Sequence, residues 1–172
     1  MSLDTQTHLR INIATILLYK YSERTEMKVA IPVDNNGVLY THNPYTAPQF
    51  AVYEILGDKD YLHYKLIETR QNPKHTLMKQ CFDNSQIHCD CLEEDANCFL
   101  HICEHYSLLE IIVGCEYLLA VRYCQNTVYT LGNGGIKIFQ IPTIIKQTEI
   151  ALKNFLIGAE YASKVSNIHN EA

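Results

Sequence analysis

Two short apolar runs constrain the fold of this 172-residue chain more than any other feature. Residues 28–33 (KVAIPV) and 117–121 (YLLAV) are almost uniformly apolar, yet each is shorter than the roughly ten residues of an ordinary buried helix. Such runs are typical of strands buried on both faces of a parallel sheet. The turn-forming residues 34–37 (DNNG) end the first run. The pattern therefore predicts an α/β protein in which residues 28–33 are the first strand and residues 117–121 are a buried central strand.

Three further strands are predicted. Residues 49–56 and 61–68 are rich in β-branched and aromatic side chains, and residues 57–60 (GDKD) between them indicate a hairpin turn. Residues 136–141 form the last strand. The chain thus has five strands, of which two form an antiparallel hairpin and two are reached by crossovers.

Helices are predicted between the later strands. The first follows three acidic residues, 93–95, and ends at Gly114. Its apolar stripe consists of Phe99, Ile102, Tyr106, Leu109 and Val113. A short helix begins near residue 126, and a longer one covers 144–157, before Gly158. The resulting order is β-β-β-α-β-α-β-α, which predicts a five-stranded mixed sheet flanked by helices, with ligands bound beyond the carboxyl ends of the parallel strands.

The chain divides into three parts. Residues 27–158 hold all the predicted elements and have the size of one domain. Residues 1–26 form an extension, either a short amphipathic helix or an added strand, and Met27 is a candidate natural start. Residues 159–172 are polar and are expected to form a C-terminal tail.

Charge and cysteine content restrict the class of protein. The net charge is −5 without a cluster of Lys or Arg, which argues against a nucleic-acid partner. No run approaches the roughly 20 apolar residues of a membrane span, and residues 11–18 lack the features of an export signal. Seven cysteines, an odd number, therefore predict reduced thiols in the cytoplasm. Reduced thiols serve as small buried hydrophobic groups or as ligands for soft metals.

Four segments, in order, resemble the dinitrogenase iron–molybdenum cofactor biosynthesis family: residues 27–33 (MKVAIPV), 41–50 (THNPYTAPQF), 115–124 (CEYLLAVRYC) and 134–139 (GGIKIF). The resemblance covers residues 27–158. It implies an RNase H-like fold and a non-catalytic carrier role for an iron–sulfur or iron–molybdenum cluster. It also implies a place in cofactor biosynthesis for nitrogen fixation, and a partner protein that receives the cluster.

The resemblance also indicates where a cluster would bind. The family loop carries His-Phe-Gly where this chain has Asn43-Pro44-Tyr45, and a histidine, His42, stands one place earlier. The family glycine after the central strand is replaced by Cys124, whose thiolate could ligate iron. The expected cofactor-binding residues are Cys124, His42, Asn43, Tyr45 and Arg122.

A second group of metal ligands lies in the loop before the first helix. Cys89 and Cys91 form a Cys-x-Cys pair that can chelate one metal ion, with His88 and Cys81 nearby. These four residues are candidate metal ligands, for the cluster or for a structural zinc ion. The zinc alternative describes a regulatory or interaction domain. A third alternative is an interaction module without metal, in which residues 1–26 mediate homodimer formation.

Two further features are interpreted as structural. Glu94, Cys98, His101 and His105 share one helical face, but Leu108 and Ile112 continue it, so this face is expected to pack against the core. Cys115 is expected to be buried beside the central strand. We predict that the chain is not an enzyme. The first strand lacks the carboxylates of a two-metal nuclease, and the sequence does not assign any Cys–His pair for nucleophilic catalysis.

Overall fold

The computed structural model describes residues 25–57, 62–75 and 99–170. Its regular elements, in chain order, are β1 (Thr25–Val33), a short 3-10 helix (Pro44–Thr46), β2 (Gln49–Gly57), β3 (Leu62–Gln71), α1 (Phe99–Ile111), β4 (Tyr117–Ala120), α2 (Gln125–Asn133), β5 (Lys137–Gln140) and α3 (Thr148–Asn170).

The strands form a single mixed sheet in the order β3-β2-β1-β4-β5. Strands β1, β2 and β3 are paired antiparallel, whereas β4 pairs parallel with β1 and β5 pairs parallel with β4. The predicted five-stranded mixed sheet flanked by helices is confirmed. Residues 28–33 form a strand as predicted, and the run at residues 117–121 provides the predicted interior strand, β4, which lies between β1 and β5.

Each face of the sheet is covered by helices. Alternation along β1 directs Val29 and Ile31 to one face and Ala30 to the other. The first face packs against α3, and its core includes Leu119, Ala151, Leu152, Phe155 and Leu156. The second face packs against α1 and α2, and its core includes Phe50, Val52, Leu108, Ile112, Leu118 and Leu131. Two apolar layers therefore hold β1 and β4 rigidly between the helices.

Two glycines that were expected to end helices behave differently. Gly114 follows α1 with φ of +77°, the left-handed backbone that stops a helix. The expectation that the last helix ends before Gly158 is wrong, because α3 continues to Asn170 and residues 159–170 are helical. A Cβ atom at Gly158 would lie 3.3 Å from the ring of Phe139. Glycine there permits α3 to approach β5 closely, so it serves packing and does not terminate the helix.

The C-terminal end of α1 is held by the edge strand β3. The Arg70 guanidinium donates hydrogen bonds from Nη1 to the carbonyl oxygens of Ile111 and Val113, over 2.9 and 2.7 Å. These carbonyls have no partner inside the helix, so a cation there satisfies and stabilises the helix end. Over the residues that the structure describes, no helix is both long and apolar enough to cross a membrane.

Candidate functional site

The candidate site lies at the carboxyl ends of β1 and β4, where two loops meet. The loop after β1 carries Asn43 and the 3-10 helix Pro44–Thr46. The chain after β4 turns at residues 121–124 and enters α2 with Cys124 as its N-cap residue. Because β1 and β4 are adjacent and parallel, these two loops emerge at the same edge of the sheet. Helix α1 supplies the third side of the site.

Cys124 and His105 lie side by side at the centre of this site. The Cys124 Sγ atom lies 3.1 Å from Nε2 of His105, within hydrogen-bond distance for sulfur and nitrogen. His105 is fully buried on α1, whereas Cys124 is only partly buried. The Cys124 side chain makes no capping hydrogen bond to the first turn of α2. The sulfur therefore lies beside the His105 imidazole and the Thr127 hydroxyl, at the N-terminal end of α2.

A buried network orients this pair. The Tyr45 ring stacks on the His105 imidazole, with centroids 4.7 Å apart and planes inclined by 20°. Thr127 in α2 lies with its hydroxyl 3.3 Å from the Cys124 sulfur and donates to Oδ1 of Asn43 over 3.0 Å. The same Oδ1 atom accepts from the backbone N–H of Tyr45. We call these five residues, Cys124, His105, Tyr45, Asn43 and Thr127, the Cys124 site.

The loop that carries Asn43 and Tyr45 is fixed to the sheet. Asn72, just after β3, is almost fully buried and donates from Nδ2 to the carbonyl oxygens of Tyr45 and Ala47, over 3.0 and 2.8 Å. Tyr40 and Thr46 are joined through their hydroxyl oxygens, 2.9 Å apart. Burial raises the pKa of the Tyr40 hydroxyl, and this hydrogen bond with Thr46 partly opposes the rise. The loop is thus held in one conformation by buried polar contacts.

The structure brings together three of the five expected cofactor-binding residues. Cys124, Asn43 and Tyr45 belong to the Cys124 site. His42 precedes Asn43 but is exposed, with its ring packed edge-on against Tyr40 at a centroid distance of 5.5 Å. Arg122 is also exposed, two residues before Cys124. The expected metal ligands Cys81, His88, Cys89 and Cys91 lie outside the described residues.

Sequence reasoning missed two members of the site, His105 and Thr127. The helical face of His105 was interpreted as packing, and the residue is indeed buried, but its Nε2 atom faces Cys124. The available signal was the row of potential ligands, Glu94, Cys98, His101 and His105, along one face of a predicted helix. Thr127 gave no signal, since its importance comes from contacts with Asn43 and Cys124.

Cys115 contrasts with Cys124. It lies just before β4, at the other end of the strand, and only 6% of its surface is exposed. Burial in the core raises the pKa of the Cys115 thiol, and the smaller effects of nearby charges have both signs. This thiol is therefore protonated and structural, as expected, and it provides a matched control for experiments on Cys124.

Cys124 and His105 alone do not make a complete metal centre. Within residues 25–57, 62–75 and 99–170, no three His, Cys, Asp or Glu side chains are grouped so that they could hold a metal ion. No protein-family model matches the chain, and no curated protein sequence matches it significantly. The geometry of the Cys124 site is therefore the main evidence for function.

Proposed function

We propose that this protein is a non-catalytic carrier that binds an iron–sulfur or iron–molybdenum type cluster as cargo through Cys124 and His105. The observation that carries this proposal is the 3.1 Å separation between the Cys124 sulfur and Nε2 of His105. A thiolate and a neutral imidazole are both good ligands for iron. They lie at the carboxyl ends of adjacent parallel strands, where α/β proteins commonly bind ligands.

The spacing of the two atoms suits a shared metal. With zinc-like bond lengths and tetrahedral angles, a cysteine sulfur and a histidine nitrogen on one metal are about 3.6 Å apart. The observed distance is about 0.5 Å shorter than this value, a difference that a small side-chain rotation of Cys124 removes. His105 is held by its stack on Tyr45, so the imidazole is already oriented for coordination.

A site with only two side-chain ligands, Cys124 and His105, suits a protein that carries and releases a cluster better than one that holds a metal permanently. A structural zinc ion takes four protein ligands in a closed site. A cluster held by two side chains keeps most of its coordination for another protein, so it can be transferred. The partial exposure of Cys124 supports this, because a receiving protein has to reach the cluster.

The fold and the thiols support the rest of the proposal. The sheet has the antiparallel strands β2 and β3 on one side of β1 and the parallel strands β4 and β5 on the other. This arrangement is consistent with the RNase H-like fold that the family resemblance implies. Among the residues that the structure describes, neither Cys115 nor Cys124 forms a disulfide, and we propose a cytoplasmic location on the basis of the cysteine content. A role in cofactor biosynthesis and a cluster-receiving partner are parts of the same proposal.

Anaerobic reconstitution with iron and sulfide tests the proposal. The full chain should acquire visible absorption bands and bound iron, and Cys124→Ala should lose most of both. Cys115→Ala is the matched control, since it removes a buried thiol at the other end of β4 and should retain the cluster.

Three outcomes would contradict this function. A colourless, iron-free wild-type protein would exclude cluster binding. A cluster retained by Cys124→Ala but lost in Cys89→Ala would place the metal in the cysteine-rich loop. Binding of one zinc ion per chain, released by Cys89→Ser, would favour the structural-zinc alternative.

A further inference from the structure

Two buried side-chain amide nitrogens near Cys124 have no hydrogen-bond partner among the residues that the structure describes. They are the Nδ2 atoms of Asn43 and Asn126, whose residues are only 5% and 6% exposed. Buried polar nitrogens in folded proteins are almost always hydrogen-bonded, so each such atom requires an explanation. Both belong to the same small region, which points to a ligand that accepts hydrogen bonds.

Both amides lie at the first turn of α2. Asn126 is the second residue of this nine-residue helix. The Asn43 carboxamide is fixed against the same turn, because its Oδ1 accepts the hydroxyl hydrogen of Thr127 over 3.0 Å. Oδ1 and Nδ2 share one carbon atom, so the unpartnered nitrogen of Asn43 lies beside the start of the helix. Its donor hydrogens are therefore held there and are not free to rotate away.

The helix itself adds donors and positive potential. The first backbone N–H groups of a helix have no partner inside the helix, and the N-cap side chain of Cys124 does not accept from them. Together with the helix dipole, these groups make a helix N-terminus attractive to anions. Asn43 and Asn126 thus extend a set of hydrogen-bond donors that begins with the backbone of α2.

The charges around this place also favour an anion. The chain has a net charge of −5, yet residues 40–48 and 120–135 contain no Asp or Glu. They do contain His42 and Arg122, both exposed.

We infer that the N-terminus of α2, with the amide nitrogens of Asn43 and Asn126, binds the oxyanion of a small ligand, a carboxylate or phosphate group. The oxygens of this group accept hydrogen bonds from both amides and from the first-turn backbone, beside the sulfur of Cys124. This binding adds a second class of ligand to the site and does not depend on a metal.

Anion titrations of the metal-free full chain test the inference. Inorganic phosphate and sodium acetate are added separately, with sodium chloride at matched ionic strength as reference, and backbone amide NMR shifts are followed. At least one of the two anions should shift the Asn126 and Thr127 amides saturably, whereas chloride should not. The anion that binds more tightly identifies the phosphate or carboxylate class.

Asparagine-to-aspartate variants make the test specific. Asn43→Asp keeps the oxygen that accepts from Thr127 but replaces the donor nitrogen with a charged oxygen, and Asn126→Asp makes the same change. Each should weaken anion binding at least tenfold. Asn133→Asp is the control, since Asn133 lies at the other end of α2 and donates to the Tyr106 hydroxyl; it should bind as wild type does.

Three outcomes would overturn the inference: no saturable shift with either anion, equal shifts with chloride, or unchanged binding in both Asn43→Asp and Asn126→Asp. The folded state of each variant is checked by its amide spectrum without anion. Because no iron is present, these results are independent of cluster binding, and either proposal can fail alone.

Discussion

Thr127 donates its hydroxyl hydrogen to Oδ1 of Asn43 over 3.0 Å, joining residues that lie 84 positions apart in the chain. The bond connects the first turn of α2 with the loop after β1. Both residues are buried; the Thr127 hydroxyl contacts the Cys124 sulfur, and Asn43 accepts from the backbone of Tyr45, whose ring stacks on His105. This long-range hydrogen bond therefore joins the two loops that carry the Cys124 site.

Replacing Thr127 with valine should destabilise the protein. Valine has a similar volume but leaves one buried hydrogen bond of Asn43 unmade, and we expect the free energy of unfolding to fall by about 1–2 kcal/mol. Urea denaturation measures this change. Thr127→Ser keeps the hydroxyl and should retain the hydrogen bond to Asn43. A serine variant as unstable as the valine variant would show that the Thr127 methyl group contributes more to stability than this hydrogen bond.

Alanine at two glycines should have opposite effects. Gly114 adopts φ of +77°, and alanine there should lower the free energy of unfolding by about 1–2 kcal/mol because left-handed backbone disfavours a side chain. Gly132 lies within α2 without positive φ, and a Cβ atom there meets no atom within 4 Å. Gly132→Ala should therefore stabilise the protein by up to about 1 kcal/mol. If alanine changed the free energy of unfolding equally at both positions, the assignment of Gly114 as the left-handed end of α1 would be wrong.

Glu68 should make stability depend on acid pH. The hydrogen bonds from Arg70, over 2.9 and 2.6 Å, lower the pKa of the Glu68 carboxyl, while Arg70 also holds the end of α1. Because the pKa of Glu68 is lower in the folded protein than in the unfolded chain, its ionised carboxylate stabilises the folded state at pH values above the unfolded-state pKa. This stabilisation is lost as the pH falls through the folded-state pKa.

Urea denaturation over a pH series compares wild type with Glu68→Gln. Wild type should be the more stable at neutral pH, and the difference should shrink once the pH falls below about 4, the usual range of a glutamate carboxyl. A difference that stays constant down to the lowest pH would exclude the charge of Glu68 as its cause.

The two cysteines that flank β4 should differ in reactivity. Cys124 is partly exposed beside an imidazole and a helix N-terminus, whereas burial raises the pKa of the Cys115 thiol. At neutral pH we expect iodoacetamide to modify Cys124 at least tenfold faster than Cys115, as followed by peptide mass spectrometry. His105→Gln should slow the reaction at Cys124 without changing that at Cys115. Similar rates at both cysteines would contradict the assigned environments.

The sequence predicts the sheet well because its signals are local. The apolar run at residues 28–33 and the turn residues after it mark β1 without knowledge of other elements. Gly158 was misjudged for the opposite reason, since glycine is needed there to pack against Phe139, a contact with another strand.

The site could be predicted only in part. Cys124 and Asn43 stand next to strand ends, which the sequence reveals. His105 lies 19 residues before Cys124, and its helical spacing indicates a face of α1 but not the partner of that face. The pairing depends on how α1 crosses the sheet and on which way the chain turns after β4. Both are properties of the tertiary structure that local patterns do not encode.

The central claim, that Cys124 and His105 bind one metal centre together, is tested most directly by iron X-ray absorption of the anaerobically reconstituted protein. Wild type should show an imidazole nitrogen in the iron coordination shell in addition to sulfur. His105→Gln should lose the nitrogen, and Cys124→Ala should lose most of the iron. An iron spectrum that lacks imidazole nitrogen and is the same in wild type and both variants would contradict the claim.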